Sequence, residues 1–327
     1  MSLDADAIVD RRRMRRKLTF WRVVAVLVAI GAVVVVAVSL GGSGGGLAEP
    51  GGAYIARVTI QGIILGDKDR VEALERLSTS RARAVIVQVD SPGGTTAGAE
   101  QLYDALRLVA DKKPTVVVVG GLAASGGYIA AMSADHIVSQ DTSLVGSIGV
   151  LFQYPNVADL LGKIGVKVEE IKSSPLKASP NGFEPTSPEA RAAIEAIVKD
   201  SYDWFRNIVK TRRQLDEAAL DRVADGRVFT GRQGIGLKLV DEIGNEKTAI
   251  DWLAKEKGVD PKLKVRDWQL KSRFSELSFL HVLVAAGLDA VGLPQVARRI
   301  LDMSTVQAVG RLNLDGLLAL WHPSTSN

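Results

Sequence analysis

The chain has 327 residues, of which 46% are hydrophobic and 24% are charged, a composition that excludes a disordered chain and a small disulfide-rich protein. It has no cysteine, and its three histidines (His136, His281 and His322) lie in no metal-ligand spacing, so we expect neither a metal nor another cofactor. The net charge of +4 is carried by residues 1–22, which hold seven Lys or Arg and three Asp. Because the rest of the chain is balanced, we expect no binding to nucleic acid.

The amino-terminal region has the pattern of a membrane anchor. Residues 1–20 form a basic segment, and residues 21–40 follow as an apolar run with Arg22 as its only charge. Twenty residues at about 1.5 Å each match the roughly 30 Å core of a bilayer. We therefore predict a transmembrane helix over residues 21–40, with the N-terminus in the cytoplasm and the remaining chain on the extracytoplasmic side. A cleaved signal peptide is the alternative, although its apolar region is normally about 7–15 residues long.

Residues 41–52 are rich in glycine and are expected to be a flexible linker. Two stretches beyond the linker repeat a pattern of apolar strand, glycine-rich turn and helix. Residues 85–89 lead into a helix predicted over residues 95–110, and residues 116–119 lead into a helix that begins near Gly126. Apart from Gln88, the strands are continuously apolar, which is typical of parallel strands covered on both faces. The sequence therefore predicts an α/β domain.

Later segments are less regular. Short strands are expected at residues 136–139, 147–152, 166–172 and 263–268, and helices at residues 188–212 and 246–257. The apolar and aromatic residues of the longer helix recur at helical spacing, which indicates a stripe that faces the core. The apolar segment 277–288 is too short to span a bilayer, so we expect a buried or surface-lying helix there.

Ser125 is the candidate nucleophile. It lies where a strand turns into a helix, and its neighbours Ala124, Gly126 and Gly127 are small. Small neighbours let a substrate backbone approach, and the free N–H groups of a helix N-terminus can stabilise an oxyanion. A simple helix cap is the alternative, since serine is among the commonest capping residues.

A nucleophilic serine needs a base, and none of the three histidines lies in a convincing position. A lysine can serve if burial lowers its pKa from about 10.4 by roughly three units. Lys177 has apolar and small neighbours in a loop that could fold over the Ser125 corner. It is favoured over three lysines that look like surface or strand-end charges, namely Lys163, Lys167 and Lys172.

Four motifs follow one another along the chain, at residues 90–94, 124–128, 146–150 and 225–233. Together with the predicted anchor, their order and spacing resemble the short form of the signal peptide peptidase A family, peptidase family S49. The resemblance spans roughly residues 54–244. It implies a crotonase- or ClpP-like spiral of βα units in a peptidase domain over residues 53–260, followed by an extension of unknown role over residues 261–327.

The resemblance also implies the roles of site residues. Ser125 would be the nucleophile and Lys177 the general base, the two coming from neighbouring subunits of an octameric ring. Gly94 and Gly126 would form the oxyanion hole, and Ser147 would hydrogen-bond the lysine amine. The implied substrates are signal peptides left in a bacterial inner membrane after secretion. A crotonase-like acyl-thioester enzyme and a catalytically inactive membrane scaffold remain as alternatives.

Overall fold

The computed structural model describes Trp21, residues 52–270 and the backbone of residues 317–320. The chain separates into two compact units, Met1–Gly52 and Ala53–Asn327, and the elements named below belong to the second. The predicted basic segment and the apolar segment 277–288 lie outside the described residues, as do the predicted anchor and linker apart from Trp21 and Gly52. No helix among the described residues is long and apolar enough to cross a bilayer.

Strands and helices alternate through the first part of the second unit. The strands are β1 (Tyr54–Ile64), β2 (Ala82–Thr95), β3 (Thr115–Ala124), β4 (His136–Ser139), β5 (Leu144–Gly146), β6 (Leu151–Phe152), β7 (Val228–Thr230), β8 (Glu242–Ile243), β9 (Val265–Asp267) and β10 (Leu317–Leu320). The helices are α1 (Lys68–Thr79), α2 (Thr96–Ala110), α3 (Gly126–Ala131), α4 (Ala158–Lys163), α5 (Pro188–Arg213), α6 (Glu217–Val223), α7 (Gly231–Gly236) and α8 (Glu246–Lys257).

A parallel sheet forms the centre of the unit. β9, β1, β2, β3, β4 and β8 lie side by side in that order, and each neighbouring pair is parallel. The amino ends of these strands therefore lie toward one edge of the sheet, here called the amino edge, and the carboxyl ends of the long strands β1, β2 and β3 lie at the other, here called the carboxyl edge. α1 and α2 return the chain from the carboxyl edge to the amino edge, so both helices end at the amino edge.

The sheet is buried on both faces. On β2, Val87 belongs to the apolar cluster that also contains Leu74 of α1 and Leu106 of α2, whereas Ile86 packs in a second cluster with Leu253 of α8. Successive strand residues point to opposite faces, so a strand covered on both sides must be apolar throughout. Each fully buried aliphatic side chain contributes about 1.5–3 kcal/mol, which makes these layers the main source of stability.

Shorter strands surround the carboxyl edge. β5 pairs in parallel with residues 122–124 at the end of β3, and β7 pairs antiparallel with β5. β10 lies between β2 and β6 and is antiparallel to both, with Leu318, Ala319 and Leu320 opposite Thr95, Gly94 and Gly93. The two glycine-rich turns of the sequence therefore meet at this edge, and a segment from the end of the chain lies against the first of them.

The predicted α/β architecture is confirmed, as are the helices at residues 95–110, 188–212 and 246–257 to within a residue or two. Two strand predictions are wrong. Residues 166–172 form no strand and are mostly exposed, and the strand expected at residues 147–152 is limited to β6. The long helix α5 is only partly a core element, since Phe205 is buried but Ile197 is 47% exposed. A spiral of the ClpP type stays a prediction.

Candidate active site

Ser125 occupies a sharp corner between β3 and α3. Its φ is 54° and its ψ is −119°, a conformation that residues other than glycine adopt only at a cost. Its backbone N–H donates to the carbonyl of Gly146 at 2.8 Å, and its own carbonyl accepts from Tyr128 at 2.9 Å. The side chain makes no capping hydrogen bond to the helix. The helix-cap alternative therefore does not describe this serine.

The corner depends on close packing behind it. A Cβ atom on Gly127 would lie 2.5 Å from the carbonyl oxygen of Ser91, so only glycine fits two residues after Ser125. Tyr128 is fully buried, and its hydroxyl donates to the carbonyl of Leu239 at 2.8 Å. Burial raises the pKa of Tyr128, which keeps the phenol protonated as a donor. Together these contacts hold the corner against the sheet.

The first glycine turn lies beside the corner, because Ser91 pairs with Ala123 in the β2–β3 register. The buried hydroxyl of Ser91 donates to the carbonyl of Gly62 at 2.6 Å and accepts from the N–H of Gly93 at 3.1 Å. A Cβ atom on Gly94 would lie 1.7 Å from the carbonyl oxygen of Ile64. The turn is therefore pressed against β1 in a way that only glycine allows.

Ser147 lies beside Ser125, because Ala124 and Gly146, the residues that precede them, are paired between β3 and β5. It also has a positive φ, of 50°, and its N–H donates to the carbonyl of Arg227 at 2.8 Å. This bond gives the fourth sequence motif a structural role. Residues 225–233 form β7 and the start of α7, and brace the end of β5.

A cavity of about 560 Å³ opens on Ser125 and Ser147. Its walls are mainly apolar, with Ile148, Val150, Leu151, Val198 and Tyr202 among them, and its charged members are Glu195, Lys199 and Asp225. The side chain of Lys199 is 73% exposed and its amine is engaged with Asp203 at 2.5 Å. A hydrogen bond from Arg227 lowers the pKa of Asp225, which makes this carboxylate a poor acceptor for the proton of Ser125.

Lys177 does not line this cavity. It is exposed in an irregular stretch between α4 and α5, where its N–H donates to the carbonyl of Ser174 at 3.1 Å. Lys172, in the same stretch, lies 2.7 Å from Glu170 and 2.6 Å from Glu184. These carboxylates, Glu170 foremost, raise the pKa of Lys172, which disfavours the neutral amine that a base needs.

Of the predicted site residues, the fold gathers Ser125, Gly94, Gly126 and Ser147 at the carboxyl edge and leaves Lys177 off the cavity. His136 begins β4 at the amino edge, where it contacts Glu242 at 3.2 Å and stacks on Trp252. Within residues 52–270, no group of three or more His, Asp or Glu is placed to hold a metal ion.

The chain is similar to known proteases over much of its length. A candidate protease of Synechocystis sp. is 36% identical over 209 residues, which cover 63% of this chain and 76% of that protein. The model of peptidase family S49 matches residues 107–260, a range that contains Ser125, Ser147 and Lys177. The chain belongs to peptidase family S49.

Similarity to other proteases supports membership of family S49. The chloroplastic serine protease SPPA of Arabidopsis thaliana is 30% identical over 275 residues, which cover 84% of this chain and 39% of that protein. A candidate signal peptide peptidase SppA of Enterococcus faecium is 34% identical over 186 residues, which cover 56% of this chain and 54% of that protein. The chain thus spans about half the length, or less, of these two relatives.

A model of Clp protease matches residues 68–140, which hold α1 to α3 together with β2, β3 and β4. This match agrees with the mixed α/β architecture. Family S49 makes peptide-bond hydrolysis the expected class of activity, and it leaves the acyl-thioester alternative without support.

Several residues of the S49 site gave little signal in the sequence. Ser91 is the clearest case, because serine is common beside glycine and proline, yet this hydroxyl joins Gly62 of β1 to Gly93 of β2. The wall that Val198 and Tyr202 contribute to the cavity was also missed, since apolar residues at helical spacing indicate only a core-facing stripe.

Proposed function

We propose that this S49 peptidase is a membrane-anchored serine endopeptidase that degrades signal peptides with a Ser/Lys dyad. The observation that carries the proposal is Ser125 itself. Its side chain is held at a positive-φ corner, makes no capping bond and faces an apolar cavity. A strained serine at a strand-to-helix turn is the arrangement by which hydrolases of other folds present a nucleophile.

The proposed chemistry combines the groups at the carboxyl edge with the amine of Lys177. The Oγ of Ser125 attacks the scissile carbonyl carbon while its proton passes to the neutral amine of Lys177. The N–H groups of Gly94 and Gly126 stabilise the tetrahedral oxyanion, and one such donor is worth about 10²–10³ in kcat. The protonated amine then protonates the leaving nitrogen, and water activated by the same amine hydrolyses the acyl-enzyme.

The base is proposed to come from a second copy of the chain. Among the described residues of the single chain, Lys199 is the lysine that lines the cavity, and its amine is engaged in an exposed ion pair with Asp203. Lys177 is instead exposed on the stretch between α4 and α5. A lysine that lies outside the cavity of its own chain can still supply the catalytic base to the cavity of a neighbouring chain.

The surface around Lys177 supports such a contact. The segment of residues 157–187, here called the arm, exposes an unusual number of large apolar side chains, namely Leu160, Ile164, Val166, Val168, Ile171, Leu176 and Phe183. Exposed apolar patches of this kind mark protein–protein or membrane contacts. We assign the arm to a homo-oligomeric interface, and the octameric ring implied by the family resemblance is the assembly that we propose.

The substrate is proposed to bind as an extended strand beside Gly93 and Gly94. β10 lies in this position, antiparallel to both β2 and β6, which supports an edge that accepts a peptide strand. Strand addition supplies main-chain hydrogen bonds, while pockets for alternate side chains give specificity. The apolar cavity beside Ser125 fits an aliphatic side chain, and signal peptides are rich in such residues.

Localisation is part of the proposal. A helix over residues 21–40 would anchor the chain in a bacterial inner membrane, with the catalytic unit on the extracytoplasmic side. A flexible linker of twelve residues has a root-mean-square span of roughly 20 Å. Such a tether would keep the peptidase near membrane-derived peptides and raise its effective concentration for them.

Subunit mixing tests the dyad directly. Ser125→Ala chains and Lys177→Ala chains should each be inactive, because each lacks one reacting group. Dissociating the two variants and reassembling them together should restore peptide cleavage, since some sites then combine an intact serine with an intact lysine of another chain. Two Ser125→Ala preparations mixed in the same way are the control. A mixture that stays inactive would contradict a dyad shared between chains.

Activity in either single variant would contradict the role of the substituted residue. The pH dependence tests the lysine separately, because only the neutral amine accepts the proton. We expect kcat/KM for a soluble peptide to rise between about pH 6 and 9. A rate that is constant over this interval would argue against a lysine base.

A further inference from the structure

The chain enters the sheet at the amino edge, between two basic residues. β1 begins at Tyr54, and the N–H of Ile55 donates to the carbonyl of Lys264 at 3.1 Å. On the other side, Tyr54 pairs with Ala82 and Ile55 pairs with Ala84, so Arg83 lies between these two positions. Lys264 and Arg83 therefore flank the point from which the chain leads back to the linker and the predicted anchor.

Lys262 lies two residues before Lys264 in the same turn, and the three residues are here called the basic edge. All three are exposed. Within the part of the chain that the structure describes, none of them has an ion pair to a carboxylate. Their charges are therefore not neutralised locally, and they create a positive potential that reaches about 8–10 Å at physiological salt.

The surroundings reinforce this sign. Further bases near the amino edge are Arg76, Arg81, Lys112, Lys113, Lys255 and Lys257. Acids lie there too, but most of them are paired: Asp111 with Arg107, Asp135 with Lys257, Asp241 with Arg213, Glu256 with Lys255 and Asp267 with Arg57. Because these acids are already paired, they do not neutralise the three residues of the basic edge.

Helix dipoles do not account for the basic edge. Bases at the ends of α1 and α2, such as Arg76 and Lys112, can be explained by the negative C-terminal end of a helix. Arg83 is a strand residue, and Lys262 and Lys264 precede a strand. These three charges serve no helix end and no ion pair in the described structure.

We propose that the basic edge docks on anionic lipid headgroups and holds the peptidase unit with its amino edge toward the bilayer. The proposal rests on the membrane anchoring proposed above. A linker with a span of roughly 20 Å would keep this edge close to the bilayer surface. A basic residue near an anionic surface contributes about fivefold to binding, so three together can bias the orientation of a tethered unit.

The absence of cysteine allows a direct measurement of orientation. Single-cysteine variants Thr79→Cys, at the end of α1 near the amino edge, and Thr142→Cys, in the turn after β4 at the carboxyl edge, would each carry a donor fluorophore. Both positions are exposed. The full-length chain is reconstituted in vesicles that carry an acceptor on the lipid headgroup. One set is phosphatidylcholine alone, and the other contains phosphatidylglycerol.

We expect stronger energy transfer from position 79 than from position 142 in the anionic vesicles. The difference should shrink in phosphatidylcholine alone, and also at about 1 M salt, where the screening length falls to about 3 Å. Reversing Arg83, Lys262 and Lys264 to Glu should remove the dependence on anionic lipid. Reversing Lys68, Arg222 and Lys247, which are equally exposed elsewhere, changes the net charge by the same amount and should leave the dependence on anionic lipid intact.

Two results would overturn this proposal and leave the proposed function standing. One is equal energy transfer from both positions in anionic vesicles, and the other is a control reversal that removes the lipid dependence as fully as the reversal of the basic edge. In either case cleavage of a soluble peptide, which the basic edge does not touch, should stay at the level of the parent chain. A chain that is washed from vesicles at alkaline pH would instead contradict the anchor, and with it this proposal.

Discussion

The backbone of Ser125 gives the sharpest prediction, because two substitutions that both remove the hydroxyl should differ in stability. At φ 54° and ψ −119°, a residue with a Cβ atom carries strain of about 1–3 kcal/mol. Ser125→Ala keeps the Cβ atom and therefore the strain. Ser125→Gly removes the strain, but it adds the greater chain entropy of glycine in the unfolded state, about 0.5–1 kcal/mol.

The difference leaves Ser125→Gly more stable than Ser125→Ala by about 1 kcal/mol, which corresponds to roughly 2–4 °C in Tm for a domain of this size. Urea unfolding and calorimetry of the two inactive variants provide the measurement, with the parent chain as reference. The parent should unfold close to Ser125→Ala, because the serine side chain makes no cap bond that alanine would lose. A glycine variant that is less stable than the alanine variant would refute a strained corner.

Three further predictions concern the surroundings of the site. Gly127→Ala should lose activity and more than about 1 kcal/mol of stability, because its Cβ atom would lie 2.5 Å from the carbonyl oxygen of Ser91; activity and unfolding assays check this, and a stable, active variant would contradict the packing. Deleting residues 317–327 should lower KM for short peptides, since β10 pairs with the edge that the substrate is proposed to use. An unchanged KM would show that β10 and the substrate do not compete for this edge. In the arm, Lys172 lowers the pKa of Glu184, so the stabilisation from this carboxylate is present above its unfolded value near 4.5 and is lost as the pH falls through the lowered folded value. Proteolysis of the arm should therefore accelerate in that acid range in the parent but not in Glu184→Gln. If the rate of proteolysis depends on pH in the same way in both chains, the ion pair does not stabilise the arm.

Much of the fold could be predicted because its signals are local. Apolar runs such as residues 85–89, interrupted only by Gln88, and residues 116–119 need two covering layers, and they form the two central strands. The helix of residues 188–212 was predicted from its periodicity alone. What could not be predicted is pairing over long distances. β10 contributes four residues and joins β2 from more than two hundred positions away, and no local pattern marks it.

Residues 166–172 show the opposite failure. Their alternation of apolar and polar side chains is typical of a strand, but a strand also needs a neighbour with which to form hydrogen bonds. In the described chain this segment is exposed and unpaired. The pattern was therefore consistent with a strand, while the partner that would make it one does not lie beside it in the single chain.

The candidate site also combines residues that local sequence patterns locate with residues that depend on long-range pairing. Ser125 and the glycine turns could be located because glycine and serine at a strand-to-helix junction have a direct steric meaning. The contact between Ser147 and the cavity depends on the pairing of β3 with β5, which sequence patterns do not specify. Lys177 stays a prediction, since its partner is proposed to belong to another copy of the chain.

The common direction of the parallel strands has one more consequence. β3 has ten residues and leads from the amino edge to Ser125, a length of roughly 33 Å at about 3.3 Å per residue. With the basic edge on the lipid, the nucleophile would stand off from the headgroups by about the thickness of the bilayer core itself. A peptide still embedded by one end would need some ten extended residues outside the lipid to reach the serine. Fully buried segments would be spared until they are pulled free.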